Sequence, residues 1–506
     1  MKTNIRNTGV LLHPTSLPSP HGIGSLGDEA YKFIDKLNDL KVSLWQILPL
    51  GPTGYGDSPY AARSTFAGNE LLIDLSTLAY EGYLDLEDVL DNPFNTSDRV
   101  DYEKVRKFKE PLLKKAALNF IENRGDNESL SYNKFCNDNE YWLEDYALYQ
   151  VLCTIYNDSR WYSEWDEKVK RRDKKELAKL RDKYASEILV NKVLQFFFDN
   201  QWQSVKIYAN KKNIQIIGDV PIFVASDSVD AWTHPELFKM DEDFHQLFNS
   251  GVPPDAFSAD GQLWGNPVYD WDKHKQTEFN WWSKRIGGVL KNCDIIRIDH
   301  FRGLSAYWEV EASEKTAMKG KWVSSPGQDL LNVLKKDFGN LPIIAEDLGV
   351  ITDDVEELRD NNKLPGMKIF QFAFGFKDDG SFDSTNAYLP HNCIENSVVY
   401  TGTHDNDTTL GWYQKLDDAT KDAIRRYLEC SDNDVPWKLV RAALMSNSKW
   451  AIFPLQDILE LDSSARMNTP STCGDSNWSW RLASLDFEDW RENRFRDSII
   501  RYGRSN

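Results

Sequence analysis

The sequence predicts an α/β chain folded as a (β/α)8 TIM barrel, and three observations carry that prediction. Short apolar runs recur along the chain, most of them continuous rather than alternating, as strands covered on both faces require. Helical patterns separate many of them, and repeated strand–helix alternation implies a parallel sheet. The runs number eight, the count of a closed barrel.

Each run ends in polar or turn residues. The first four are "GVLLHP" (9–14), "SLWQILPL" (43–50), "IQIIGDVPIFV" (214–224) and "DIIRIDH" (294–300). "LPIIAEDLG" (341–349), "GMKIFQFAF" (366–374), "SVVYTGTHD" (397–405) and "KWAIFPLQD" (449–457) complete the series. Stretches such as "LGDEAYKFIDKLNDL" and "TDDVEELRDNN" repeat their apolar residues at helical spacing. Two intervals are too long to be simple connections. Residues 52–190, with "YEKVRKFKEPLLKKAALNFIEN" and "EYWLEDYALYQVLCTIY", read as a mainly helical insertion after the second strand. Residues 220–290, rich in Trp, Pro and Gly, read as a loop-rich insertion after the third. Both belong at strand carboxyl ends, where barrel enzymes elaborate their sites. Residues 1–506 together read as one catalytic barrel.

Composition removes several function classes. With 41% hydrophobic and 27% charged residues the chain is a soluble globular protein. A formal net charge of −19 repels a polyanion, so nucleic acid is excluded as a main partner. The basic run "EWDEKVKRRDKKELAKLRDK" (164–183) is interleaved with acids and reads as a solvated, salt-bridged helix. The six cysteines are scattered without metal-ligand spacing, and are expected to be reduced and mostly buried. No run approaches the roughly 18 apolar residues of a membrane span, and "MKTNIRNTGVLL" has no signal-peptide pattern. A cytoplasmic enzyme without metal or other cofactor is expected. Gly22, Gly24 and Gly27 in "HGIGSLG" match dinucleotide-binder spacing, but "PTSLPSPH" separates them from the preceding strand. A turn into a helix is the better reading.

The chemistry concentrates where apolar runs turn charged. "CDIIRIDHFRG" (293–303) starts as a buried strand and ends in Arg297, Asp299, His300 and Arg302. Three acids fall at strand ends: Asp299 after the fourth, Glu346 after the fifth and Asp405 after the seventh. Residues two apart on a strand share a side, so Arg297 lies beside Asp299 and favours its ionised form. Glu346 follows the apolar "LPIIA", and apolar surroundings raise a carboxyl pKa. One carboxylate and one carboxylic acid are what acid-assisted glycosidic cleavage needs. Neighbouring strands lie about 4.7–4.9 Å apart. Retaining enzymes hold their carboxyls about 5–5.5 Å apart and inverting ones wider, so the retaining route is favoured. Any one strand-end acid is more simply a helix cap. Three of them, with Arg297, His300 and His404 alongside, point to catalysis.

"RIDHFRG", "AEDLGVIT", "TGTHDNDTTLGWY" and "GPTGYGDSPY" resemble the signature segments of the amylomaltases, 4-α-glucanotransferases of glycoside hydrolase family 77 in the α-amylase clan. The likeness runs from "LLHPTSLPSPHGIG" to "ARMNTPSTCGDSNWSWR", nearly the whole chain. It implies Asp299 as nucleophile, Glu346 as acid/base and Asp405 as the third acid, gripping sugar hydroxyls. It implies sugar contacts for Arg297, His300, His404 and Asp219, a stacking role for Tyr60, and a separate glucan site at Tyr55. "GVPPDAFSADGQLWGNP" resembles the family's substrate-covering loop, which would bring Asp255, Gln262 and Trp264 to bound sugar. Asn468 matches a further contact. The implied partners are maltooligosaccharides, α-1,4-glucans and glucose. Two departures stand out: Ser471 replaces the glycine of the usual "MNxPGT", and Ser25 stands where aspartate is common. The three acids alone serve a transferase or an α-1,4-glucan hydrolase equally, because the outcome depends on whether sugar or water attacks. A catalytically silent glucan-binding protein is a third possibility, against which the presence of both Asp299 and Glu346 speaks.

Overall fold

The computed structural model describes residues 6–95, 97–254, 258–474 and 476–505. Its strands, in chain order, are β1 (Asn7–Leu11), β2 (Leu44–Gln46), β3 (Gln215–Pro221), β4 (Phe248–Val252), β5 (Gln262–Pro267) and β6 (Ile295–Asp299). They continue with β7 (Ala306–Glu311), β8 (Gly320–Ser324), β9 (Ile343–Ala345), β10 (Gly366–Ile369), β11 (Ser397–Tyr400) and β12 (Trp450–Pro454). Eight of these close into a parallel barrel in the order β1-β12-β11-β10-β9-β6-β3-β2. Each apolar run supplies one of the eight, and closure comes from β1, which pairs with both β2 and β12. The strands are shorter than the runs that supply them, and β1 starts two residues ahead of its run. "GMKIFQFAF", for instance, leaves extended structure at Ile369 and passes into a 3-10 turn over Phe370–Phe372.

The other four strands form an antiparallel sheet, β5-β4-β7-β8, which the sequence did not reveal. Two come from the interval read as loop-rich, and two from a hairpin just beyond β6. The sheet therefore unites the excursion that leaves β3 with the one that leaves β6. The helical interval between β2 and β3 ends in a 27-residue helix, Ala185–Lys211, so the boundary expected at residue 190 falls inside an element. That helix runs straight into β3. The glycines of "HGIGSLG" serve close packing at the turn before helix Asp28–Asp39: a Cβ on Gly24 would sit 1.9 Å from the Pro14 carbonyl oxygen.

One contiguous core fills the barrel and spreads beneath the helical region. The run at 164–183 forms two short helices, Glu167–Lys170 and Lys174–Lys183, with ion pairs such as Lys179–Glu176 at 3.1 Å and Arg171–Asp243 at 2.8 Å. Among the six free cysteines Cys293 and Cys393 are buried, three are half-buried, and Cys473 is exposed. Among the described residues no helix is long and apolar enough to cross a membrane.

Candidate active site

β6 and β9 are neighbours, with Ile298 opposite Ala345. The next step along each chain is Asp299 on one side and Glu346 on the other, so both carboxyls leave the same end of the barrel on adjacent strands. The ladder continues past the strands: Glu346 N donates to Ile298 O at 3.1 Å, and Phe301 N to Glu346 O at 3.1 Å. His300 adopts a left-handed backbone (φ 53°), uncommon for a residue with a side chain. Its N–H donates to Glu346 Oε2 at 2.6 Å, while Leu348 N donates to Oε1 at 3.0 Å. The acid is thus fixed by backbone donors from both loops.

Asp219 on β3 pairs in register with Arg297 on β6. The buried guanidinium bridges two acids, donating from Nη1 to Asp219 Oδ2 at 2.6 Å and from Nη2 to Asp299 Oδ1 at 2.7 Å. Asp219 Oδ2 also accepts from the Tyr60 hydroxyl at 2.7 Å. The Tyr60 ring stacks on His404, centroids 5.0 Å apart and 15° from parallel, with Trp478 close to both. Asp405 accepts from Asn468 Nδ2 at 2.6 Å and lies 3.3 Å from His404 Nε2. Arg466 clamps this corner by donating to the carbonyls of Asp405 and Asn468, both at 2.7 Å. Tyr60, Asp219, Arg297, Asp299, Glu346, His404, Asp405 and Asn468 form one connected cluster. Trp264, on β5, packs its ring edge-on against His300 at 4.7 Å and donates to Gln262 Oε1 at 3.3 Å, which brings the antiparallel sheet over the cluster. Tyr55 is 83% exposed and sits beside Cys473, without a contact to the cluster. Asp255 lies outside the described residues.

Burial is the largest influence on Glu346, Asp299 and Asp405. It pushes Glu346 up to about 8, helped by the Asp299 charge and opposed by Arg297 and the His300 N–H. Asp299 is pushed up to about 6, because burial and the charges of Asp219 and Asp405 outweigh the opposing Arg297. Arg297 favours the ionised form of Asp299, the direction expected from the sequence, but limits the rise without reversing it. Their order is nevertheless that of an ionised aspartate beside a protonated glutamate near neutrality. Burial also raises Asp405, but His404, Asn468 and Arg297 outweigh it and hold this carboxyl well below the ordinary range. Burial, with Arg302 nearby, lowers His300 to about 3, so its ring is neutral.

Three buried atoms of the cluster find no partner among the described residues: Asp219 Oδ1, His300 Nε2 and His404 Nδ1. Buried polar atoms are rarely left unbonded, so each has a hydrogen-bonding capacity not used within the cluster. Among the described residues no group of three or more His, Cys, Asp or Glu is arranged to hold a metal ion. Sequence reasoning did not single out Trp478 and Arg466, although both lie in the family-like segment "ARMNTPSTCGDSNWSWR" and Arg466 stands two positions before Asn468.

A family model described as 4-alpha-glucanotransferase, glycoside hydrolase family 77, matches residues 12–486. The chain belongs to this family. It is 47% identical over 503 residues to a 4-alpha-glucanotransferase of Synechocystis sp., covering 99% of this chain and 98% of the relative. With the Thermus thermophilus 4-alpha-glucanotransferase it shares 45% over 485 residues, 94% of this chain and 95% of that one. Among solved structures, an amylomaltase from Streptococcus agalactiae, captured with acarbose, superposes with a TM-score of 0.95 at 40% identity, covering 99% of this chain and 100% of that one. This family member is accordingly a glycosyltransferase of the amylomaltase type. The Ser25 departure is absorbed locally, since its hydroxyl donates to Asp74 Oδ2 at 2.8 Å, where an aspartate would face a second carboxylate.

Proposed function

We propose that the 4-α-glucanotransferase reaction of this chain proceeds by double displacement through a glycosyl ester on Asp299. In the first step an Asp299 oxygen attacks the anomeric carbon of an α-1,4-linked donor. The glycosidic C–O bond breaks, and Glu346 gives its proton to the departing oxygen. In the second step Glu346, now a carboxylate, takes the proton of an incoming 4-hydroxyl, whose oxygen displaces Asp299 and restores the linkage. Asp405, kept anionic, stabilises the positive charge that develops at the anomeric carbon. Arg297 orients Asp299, and Tyr60, Asp219, His300, His404 and Asn468 offer partners for ring hydroxyls. Trp264 and Gln262 cover the site, as a transferase that must exclude water requires. Maltooligosaccharides, longer α-1,4-glucans and glucose are the partners this chemistry fits, and the capture of the Streptococcus agalactiae relative with acarbose supports a sugar ligand.

The observation that carries this reading is the placement of Asp299 and Glu346 on adjacent strand ends at one barrel mouth. That spacing suits a direct covalent attack rather than an intervening water. The test is the product ladder from maltotriose. Transfer yields glucose together with longer oligomers, whereas hydrolysis yields glucose and maltose without elongation. Asp299→Ala is expected to abolish elongation while leaving the fold intact, and persistence of transfer in that variant would refute the nucleophile.

A further inference from the structure

Three residues beyond Asp299, Arg302 is 5% exposed and is bound to the chain just past Glu346. Its Nη1 donates to Val350 O at 2.6 Å and its Nη2 to Thr352 Oγ1 at 3.2 Å. Its guanidinium carbon sits over the Trp322 ring of β8, 3.7 Å from the centroid. Its Nε, buried, has no partner among the described residues. One side chain thereby joins the loop after the nucleophile strand, the loop after the acid/base strand, and the sheet whose β5 holds Trp264 over His300. Other links between the two loops include the backbone bonds at 298–301, the His300 N–H donating to Glu346 Oε2, and the Ser305–Asp354 contact. Arg302 lies between them.

We infer that Arg302 is a positioning residue that sets the separation of Asp299 from Glu346 by clamping together the loops that bear them. This rests on the roles assigned above to those two carboxyls. A guanidinium suits the task because its donors project in a fixed planar fork, so two acceptors four and six residues past Glu346 are held in one geometry. A lysine offers a compact point charge without the planar fork, and cannot hold both acceptors in that geometry while covering Trp322. Reacting groups misplaced by about 1 Å lose on the order of 100-fold in rate, so a clamp at this place acts on turnover rather than on substrate binding.

The test is kinetic, with Arg302→Met and Arg302→Lys beside Asp299→Ala. Arg302→Met is expected to lower kcat by about 10- to 100-fold with KM nearly unchanged, and Arg302→Lys to recover only part of it. The basic limb of the pH profile provides a second reading. Glu346 faces Asp299 and Arg297 from β6, Asp347 from its own loop, the Tyr388 hydroxyl, and the N–H groups of His300 and Leu348. If the clamp holds Asp299 close, releasing it weakens that repulsion and moves the basic limb to lower pH. A kcat within about threefold of the parent, or a limb that does not move, would overturn the inference. Should Arg302→Met fail to fold, Thr352→Val removes one acceptor only. A lowered kcat with KM held there supports the clamp, and unchanged kinetics with an unmoved limb reject it. Transfer surviving in Asp299→Ala condemns the nucleophile assignment, whereas inactive Asp299→Ala beside fully active Arg302 variants condemns the clamp alone.

Discussion

At Asp299 two effects compete: burial raises its pKa and the Arg297 guanidinium 2.7 Å away lowers it. At Glu346 both burial and the facing Asp299 push upward. The proposed mechanism needs the first group ionised and the second protonated, so activity is expected to follow a bell centred between about 6 and about 8. A pH profile of kcat/KM on maltotriose checks this, and a flat profile from pH 4 to pH 9 contradicts it. The same shift bears on stability. Glu346 keeps its proton in the folded protein up to about 8, whereas the unfolded chain loses it near its ordinary value of 4.5. Between those limits the folded state binds more protons, so stability falls as pH rises. Glu346→Gln removes that penalty. Its melting temperature is expected to exceed the parent's by little at pH 4 and by progressively more up to pH 8, with activity abolished; a gain that does not grow with pH would disprove the shift. These acids were legible because each comes directly after an apolar run. Their protonation was only half legible, because the sequence shows that Arg297 adjoins Asp299 but not how completely the pair is shut away from water.

The elements that escape a reading of the sequence are those without a periodic signature. β4 is "FNSGV" and β5 is "QLWGNP", with glycine, asparagine and proline where strand formers are expected. They are strands because their partners lie far away: β4 pairs with β7, where Phe248 faces Glu311. The barrel strands, by contrast, announce themselves through their own composition. A second element-scale feature is the loop that carries Asn468 and Trp478. Ser471, at the position where a glycine was expected from the family pattern, has φ 61°. A side chain in that conformation costs roughly 1–2 kcal/mol, and the residue is exposed. Ser471→Gly is therefore expected to stabilise the protein by about 1 kcal/mol, measured by chemical denaturation. A loss of stability would show that the serine hydroxyl contributes more than the backbone strain costs.

On the scale of the molecule, the seam between β1 and β12 is held from below by Arg504. This side chain is fully buried and donates to the carbonyls of Leu444 at 2.7 Å, Asn7 at 3.3 Å, Ala443 at 3.3 Å, Ser446 at 3.0 Å and Ser448 at 3.0 Å. It has no carboxylate partner among the described residues. Burial lowers it to about 9, so it remains charged near neutrality. Ser446 O keeps Arg6 and Ala443 O keeps Ser446 as donors, but truncation would strip the Leu444 and Ser448 carbonyls of this one, each at a cost of about 1–3 kcal/mol. Arg504→Ala is expected to lose about 3 kcal/mol or more and to lower the melting temperature of the whole chain; a loss under about 1 kcal/mol would mean that water replaces the guanidinium.

That seam also dictates the order of events at the ribosome. Asn7 faces Trp450, so the first strand made must wait for nearly the last before the ring can shut. A nascent chain that has emerged as far as residue 430 already carries Asp299, Glu346 and Asp405, but β12 is not yet there to hold β1 and β11 in a closed circle. At translation speeds of roughly 5–20 residues per second, β1 waits tens of seconds for that partner, with unpaired strand edges open to misassociation. Assembly of the mouth that carries the three acids waits on the arrival of β12.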